Sequence, residues 1–420
     1  MIGNKFWDSL ALLIILLFSL ALIASLIQLI SGGAILETFS RLTLKVINIL
    51  FAVSILMMII IVVMENSSPA NTMAWLLVLI FLPVVGFILY LFFGRNWRKR
   101  RIFGKKSKSD IQFLNQYLQS LSPKYEQSET TWLASHLNRL LENNAKAVLS
   151  QNNALQIYAD TPQAFNAILE SIRQARQHVH LEYFSIANDE TGNRLKEALI
   201  QKAAQGVQIR FIYDDVGCWN LARSFKTQLR KAGIEFLPFS PVWVPFLNSR
   251  LNYRNHRKLV VVDGREAFLG GLNIGDRYLG KHHYFGYWRD SLVAFQGEAV
   301  LSLQAIFMAD WHFVSGKNLL QAHDIDQYLP EVREQCQPQV PLQIAASGPD
   351  SDQASILQLY FAAITSARQS IDISSPYLVL NESLLMALKT AAIGGARIRI
   401  LIPSKRSEEH TSELQSPNTI

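Results

Sequence analysis

Three uncharged apolar runs near the N-terminus constrain this chain more than any other feature. They are residues 9–30 (SLALLIILLFSLALIASLIQLI), 46–64 (VINILFAVSILMMIIIVVM) and 73–93 (MAWLLVLIFLPVVGFILYLFF). Each is long enough to cross a hydrocarbon core as a helix, which needs about 20 residues. Pro83 and Gly86 in the third run are compatible with a helix in lipid. The first run exceeds the ~7–15 apolar residues of a secretory signal, and no clear small-residue cleavage site follows it. The expectation is a transmembrane anchor region over residues 1–95, with helices near 9–30, 46–64 and 73–93.

Loop charges orient these helices. Residues 95–108, RNWRKRRIFGKKSK, hold eight Lys or Arg and no acid, whereas 65–72, ENSSPANT, hold no Lys or Arg. The positive-inside rule puts Arg95 onward in the cytoplasm and Glu65–Thr72 outside. The expected location is a bacterial inner (plasma) membrane, multi-pass, with the body cytoplasmic. Residues 96–150 read as a basic juxtamembrane linker and helical segment.

The chain is 50% hydrophobic and 17% charged, which excludes disorder as a whole. Two cysteines, Cys218 and Cys336, exclude a disulfide framework and a cysteine-based zinc site. A net charge of +7 favours an anionic partner. With three apolar helices, that partner is expected to be an acidic lipid surface rather than nucleic acid.

Beyond residue 110 the pattern is that of an α/β body. Residues 179–186, VHLEYFSI, read as a strand, 191–205 as a helix closed by Gly206, and 207–213, VQIRFIY, as a buried strand. Another helix and strand follow through FKTQLRKAG and IEFLPF. The alternation points to a layered sheet. An internal repeat accompanies it. Ala175-Arg176-Gln177 aligns with Ala367-Arg368-Gln369 at an offset of 192, and Gly206–Ile212 with Gly395–Leu401 at an offset of 189. Helix, strand, helix and strand recur in the same order, which points to duplication.

Chemistry concentrates in Asn255–Asp276, NHRKLVVVDGREAFLGGLNIGD. His256 and Lys258 open an apolar run, LVVV, that reads as a strand. Residues i and i+2 share a strand face, so an imidazole and an ammonium point the same way. Asp263-Gly264 is a turn, and Glu266–Gly270 returns as the next strand. Gly270-Gly271 leaves backbone accessible, and Asn273 offers an amide donor to an oxyanion. Lysine neutralises a phosphate, while histidine attacks phosphorus or moves a proton.

His256-x-Lys258-x4-Asp263 followed by Gly270-Gly271-x-Asn273 resembles the HKD motif of the phospholipase D superfamily. Arg254–Lys258, Gly271–Asp276, Trp288-Arg289-Asp290 and Ser347–Asp350 resemble bacterial cardiolipin synthases in particular. So do Ser68-Pro69, Ala74-Trp75, Leu82-Pro83 and Gly94-Arg95-Asn96 in the N-terminal region. The likeness covers roughly residues 50–405. It implies a mixed α/β sheet flanked by helices, with two HKD halves meeting at a pseudo-two-fold axis. One histidine would form a phosphohistidine, and the other would protonate the leaving alcohol and deprotonate the incoming one. The donor would be phosphatidylglycerol, the acceptor a second lipid hydroxyl, and no metal or other cofactor would be required. Carried over, His256 is nucleophile or general acid/base, Lys258 and Asn273 bind phosphate, and Asp263, grouped with the catalytic set, organises local hydrogen bonds.

The body then divides into a first phospholipase D-like domain, 151–340, and a second, incomplete one, 341–405. The repeat offset places a partner for His256 near residue ~445. Residues 406–420 are expected to be a non-native tail, because RSEEHTSELQS resembles a translated sequencing adapter, and the gene record is expected to be truncated. On that reading the 420-residue chain is inactive unless two copies complement each other.

The remaining polar clusters read as structural. His178 and His180 alternate on a strand, His282-His283 lie in a loop, and neither pair has zinc spacing. Asp214-Asp215 reads as a turn more readily than a cation site, and Glu182 as the partner of a lysine or arginine. Pro241–Phe246 is an apolar loop, suited to lipid contact or to core packing. No G-x-S-x-G, Walker A or strand-linked G-x-G-x-x-G is present. The alternatives to phosphatidyl transfer are hydrolysis by a phospholipase D-type phosphodiesterase and non-catalytic lipid binding. The acceptor lipid and the oligomeric state stay open.

Overall fold

The structure, a computed structural model, describes residues 56, 69–81, 86, 90, 132–242, 254–319, 325–330, 336–337, 339–348, 353–376 and 378–403. The chain forms two units, residues 1–100 and 101–420. In the first, helix α1 spans Pro69–Phe81, and the Trp75 and Tyr90 rings meet edge to face at 5.2 Å. No helix among the described residues is long and apolar enough to cross a membrane. The runs 9–30 and 46–64 lie outside the described residues apart from Leu56, as does the basic stretch 95–108.

The second unit begins with α2 (Trp132–Ala145) and β1 (Leu149–Ser150). There follow β2 (Asn153–Tyr158), α3 (Thr161–Gln174), β3 (His178–Tyr183), α4 (Glu190–Ala204), β4 (Gln208–Asp214), α5 (Arg223–Lys231) and β5 (Glu235–Phe239). Next come β6 (Leu259–Val262), β7 (Glu266–Gly270), a 3-10 turn at Asp276–Leu279, β8 (Leu292–Gly297) and α6 (Glu298–Ser315). Seven strands make one mixed sheet in the order β2-β8-β7-β6-β3-β4-β5. β3, β4 and β5 are parallel, and every pairing from β3 through β6, β7 and β8 to β2 is antiparallel.

Helices cover both faces of the sheet, and the central strands show why. Along β6, Val260 and Val262 join the core formed with α3, α4 and α5, whereas Leu259 and Val261 join the core around Leu303, Phe307 and Trp311 of α6. A strand buried on both sides needs an unbroken apolar run, which LVVV supplies. The helix starts are capped in the usual way. Asp160 accepts from Gln163 N–H at 3.1 Å and Asp189 from Gly192 N–H at 3.0 Å, satisfying donors that have no partner within the helix.

The second repeat comprises α7 (Ser355–Ser366), β10 (Ser370–Ser374), α8 (Glu382–Ile393) and β11 (Arg397–Leu401), after a short β9 (Leu342–Gln343) paired with β1. β10 and β11 pair in parallel with Ser370 opposite Arg397, and β3 and β4 pair with His178 opposite Gln208. Those partners are related by the same offsets, 192 and 189, that align the sequences. Turn bonds repeat too: Gln208 N–H donates to Gln177 O, and Arg397 N–H to Gln369 O, both at 2.9 Å. The duplication is therefore structural. The copies differ in cover, since β3 is buried throughout while β10 alternates between exposed and half-buried. His180 and Arg210, register partners in the first copy, become Asp372 and Arg399 in the second, an exposed two-pronged ion pair at 2.6 and 2.8 Å.

Candidate active site

The strand directions place the chemistry-bearing residues at one end of the sheet. The C-terminal ends of β3 and β4, the N-terminal end of β6, the C-terminal end of β7 and the N-terminal end of β8 all lie there, by the parallel and antiparallel pairings. The strand β6 is LVVV, Leu259–Val262, and His256 and Lys258 belong to the irregular segment just before it.

They nevertheless share a side. The Phe184 ring lies 4.7 Å from the His256 ring, and Lys258 Nζ sits 5.3 Å above it. Lys258 Nζ also donates to His256 O at 2.8 Å. His256 is exposed and Lys258 is 4% exposed. A buried ammonium requires negative charge nearby. Asp290, half-buried before β8, supplies it: burial raises its carboxyl above the ordinary value, while Ser291 N–H, Trp288 and the Lys258 charge pull it back. Gly271 makes room for that carboxylate, because a Cβ there would lie 2.3 Å from Asp290 Oδ1.

The segment carrying His256 is strapped on both sides. Asn255 N–H donates to Asp214 Oδ2 at 2.9 Å, Asn255 Nδ2 donates to Glu182 Oε1, and Arg257 N–H donates to Asn255 Oδ1 at 3.0 Å. Arg254 reaches Asp214 at 3.4 Å and Ser240 O at 3.1 Å. Arg257 takes the opposite direction to Lys258 and pairs with buried Asp310 of α6. Asp214 also accepts from Val216 and Gly217 N–H at 3.0 Å, so it is a turn residue, as the sequence suggests. Burial raises its carboxyl above the ordinary value despite Arg254 and these N–H groups. Glu182 holds the Asn255 side chain.

Asn273 is buried, and its Oδ1 accepts from Ser185 N–H at 3.1 Å, which turns the NH₂ end of the amide away from Ser185. Ser185 and Ile274 exchange a further backbone bond, so the Asn273 turn is fastened to the segment beginning at Phe184. Asp263 is not brought to this end. It lies beyond the far end of β6, where its carboxylate accepts from Arg176, Gln177 and His178 N–H at 2.8, 2.8 and 2.9 Å. It ties β6 to the start of β3.

His178 and His180 are structural. Both are buried beside α6. His180 bonds Gln304 at 2.7 Å and Arg210 at 3.2 Å and stacks on Phe307 at 4.4 Å. Burial lowers His178 to about 4 and His180 well below its ordinary value, keeping both neutral. Sequence reading missed Phe184, Asn255 and Asp214 as supports of His256. Asn255 was legible as part of the motif, but nothing local marks the ring of Phe184 as the surface on which His256 and Lys258 meet.

The covered mixed sheet, with an exposed imidazole and a buried lysine side by side at one end, defines a phospholipase D-like α/β enzyme. Residues 168–311 match the model for the cardiolipin synthase, PLD-like domain, and residues 46–95 match that for the phospholipase D-nuclease N-terminal family. A cardiolipin synthase of Geobacillus sp. (strain WCH70) is 43% identical over 86% of this chain and 71% of its own length. The major cardiolipin synthase of Bacillus subtilis (strain 168) is 39% identical over 86% of this chain and 75% of its own. Phosphatidylserine synthase of Haemophilus influenzae superposes with a TM-score of 0.45 over 66% of this chain and 70% of that one, at 13% identity. The chain belongs to the cardiolipin synthase family.

Proposed function

We propose that this protein is a membrane-bound phosphatidyltransferase that joins two phosphatidylglycerol molecules into cardiolipin and releases glycerol. His256 attacks the phosphorus of the first lipid, the phosphorus–oxygen bond to the glycerol headgroup breaks, and glycerol leaves with a proton from a second acid. A hydroxyl of the second phosphatidylglycerol then attacks the phosphohistidine, gives up its proton, and breaks the phosphorus–nitrogen bond. Lys258 and the Asn273 amide balance the charge that grows on the phosphoryl oxygens.

The observation that carries this reading is the placement of exposed His256 and buried Lys258 against one ring, Phe184. A nucleophile accessible to lipid beside a charge shielded from water suits phosphoryl transfer. The apolar runs before residue 95 and the basic stretch 95–108 support a multi-pass inner-membrane location with a cytoplasmic body. The 420 residues hold one His-x-Lys-x4-Asp, and the second acid–base group belongs to another HKD half or another copy.

The experiment is complementation of a strain lacking cardiolipin. It uses the 420-residue chain and the same chain continued through a second HKD half, each beside its His256→Ala form. Cardiolipin that appears with the continued chain and disappears with His256→Ala is the expected result. Phosphatidic acid in its place identifies hydrolysis, and an unchanged lipid extract overturns the proposal. The 420-residue chain by itself is expected to give no cardiolipin unless two copies complement each other.

A further inference from the structure

The sheet end that carries His256 also carries exposed rings. Between residues 132 and 348, the large apolar side chains exposed among the described residues are Ile157 (66%), Trp219 (56%), Tyr284 (52%) and Tyr287 (71%). All four belong to this end. Trp219 is in the turn after β4. Tyr284 and Tyr287 are in the loop that leads to Asp290 and β8. Ile157 pairs with Val293, one residue inside the β8 end. Among the described residues between 132 and 348, no such side chain lies at the opposite end, where Asp263–Arg265 turn between β6 and β7.

The rings are held outward by built contacts. The Trp219 turn packs on the active-site ring residue: a Cβ on Gly217 would lie 2.2 Å from Phe184 O, and Cys218 Sγ donates to the same oxygen at 3.5 Å. The other loop is a ladder of rings. Tyr284 meets Phe285 at 5.0 Å, Phe285 meets Trp288 at 6.0 Å, and Trp288 meets buried Tyr278 at 5.2 Å. Charge follows the rings. Residues 277–289 hold Arg277, Lys281, Arg289 and two histidines between Asp276 and Asp290, Lys281 is paired with Glu190 and Asp276, and exposed Arg223 opens α5 four residues after Trp219. The nearby carboxylates are engaged: Glu190 with Lys281 at 2.9 Å, Asp276 with Thr191 and Asp215 with Val242 N–H.

Tryptophan and tyrosine with interspersed basic residues are the side chains that seat at a bilayer's headgroup level. We propose that this end of the body is a bilayer-docking face, with Trp219, Tyr284 and Tyr287 seated in the headgroup layer of an anionic phospholipid surface so that the His256 opening meets lipid directly. It deepens the lipid-substrate reading and rests on it for its purpose, but its geometry stands apart from turnover. The face is separate in sequence from the N-terminal apolar runs.

The test uses the full chain reconstituted in vesicles, with Cys336→Ser as background and buried Cys218 left in place. Single cysteines at Trp219→Cys, Tyr287→Cys and, as control, Arg265→Cys carry an environment-sensitive fluorophore. Vesicles contain equal parts phosphatidylglycerol and phosphatidylcholine, or phosphatidylcholine alone. Doxyl-labelled lipid is expected to quench positions 219 and 287 at least about twofold more than position 265, with iodide showing the reverse order. The lipid quenching is expected to weaken in neutral vesicles and at high salt. Positions 219 and 287 behaving like 265 overturn the proposal, and equal quenching in neutral vesicles overturns its anionic part. Quenching as expected, with the continued chain giving no cardiolipin in the complementation test, would overturn the proposed activity and leave the docking face standing.

Discussion

Asn255 N–H donates to the Asp214 carboxylate at 2.9 Å, tying the residue before His256 to the last residue of β4, 41 positions earlier in the chain. The Asn255 side chain bridges to Glu182 of β3 as well. Two neighbouring parallel strands thus hold the backbone from which the imidazole projects, and they hold it through buried carboxylates whose desolvation is costly unless the donors stay in place.

Asn255→Ala removes the Glu182 bond and leaves a buried carboxylate short of a donor. The expected loss is about 1–3 kcal/mol of stability. Turnover is expected to fall at least about tenfold through kcat with KM little changed, because the imidazole loses its fixed orientation rather than its substrate contacts. Denaturant unfolding together with steady-state kinetics on the active form checks both.

Asp263→Ala separates the two ends of β6. Three backbone N–H groups lose one carboxylate, so stability is expected to drop by about 1–3 kcal/mol. Asp263 also holds a positive φ of 52°, which alanine adopts at a cost. Activity per folded molecule is expected to stay within a few fold. A kcat loss as large as that of His256→Ala, measured with the folded fraction quantified, would show that Asp263 acts in the chemistry.

Lys258→Met should cost both stability and turnover, and the turnover loss should far exceed that of Asp263→Ala. Its cost in stability comes from leaving the half-buried Asp290 carboxylate without its cation, and its cost in turnover, about 10²–10³ in kcat, comes from losing the proposed phosphate clamp. Lys258→Arg is not expected to restore activity, since a planar fork does not fit the space of a point charge. Parallel melting curves and turnover numbers test the contrast.

His178 gives a pH signature. Its folded-state value, about 4, lies below its ordinary 6.5 because it is buried. Between these values the unfolded chain binds a proton that the folded one refuses, so stability falls as pH drops through that window. Protonation of the unfolded state at this one site is expected to cost about 2 kcal/mol between pH 7 and pH 5. Buried His180 adds in the same direction. Unfolding free energies of the parent and of His178→Gln, measured across this range, should converge towards low pH by about that amount.

Much of this architecture was legible before any coordinates. LVVV at 259–262 and the return at 266–270 read as the strands they are, because a strand buried on both faces needs an unbroken apolar run. The repeat was legible because equivalent residues obey the same local rules, and the paired registers of β3–β4 and β10–β11 keep its offsets. His256 and Lys258 stood out because their spacing sets a shared face within one short segment.

The sequence by itself determined the elements, their duplication and the pair of side chains on one stretch of backbone, since these depend on neighbours within a few residues. The tertiary structure alone decided that Asp263 stands at the far end of the strand, that Phe184 is the ring beneath His256 and Lys258, and that Asp214 and Glu182 hold Asn255. The reason is the order and direction of strand pairing. These contacts join residues some 40 to 90 positions apart, and no local pattern encodes which strand ends will meet.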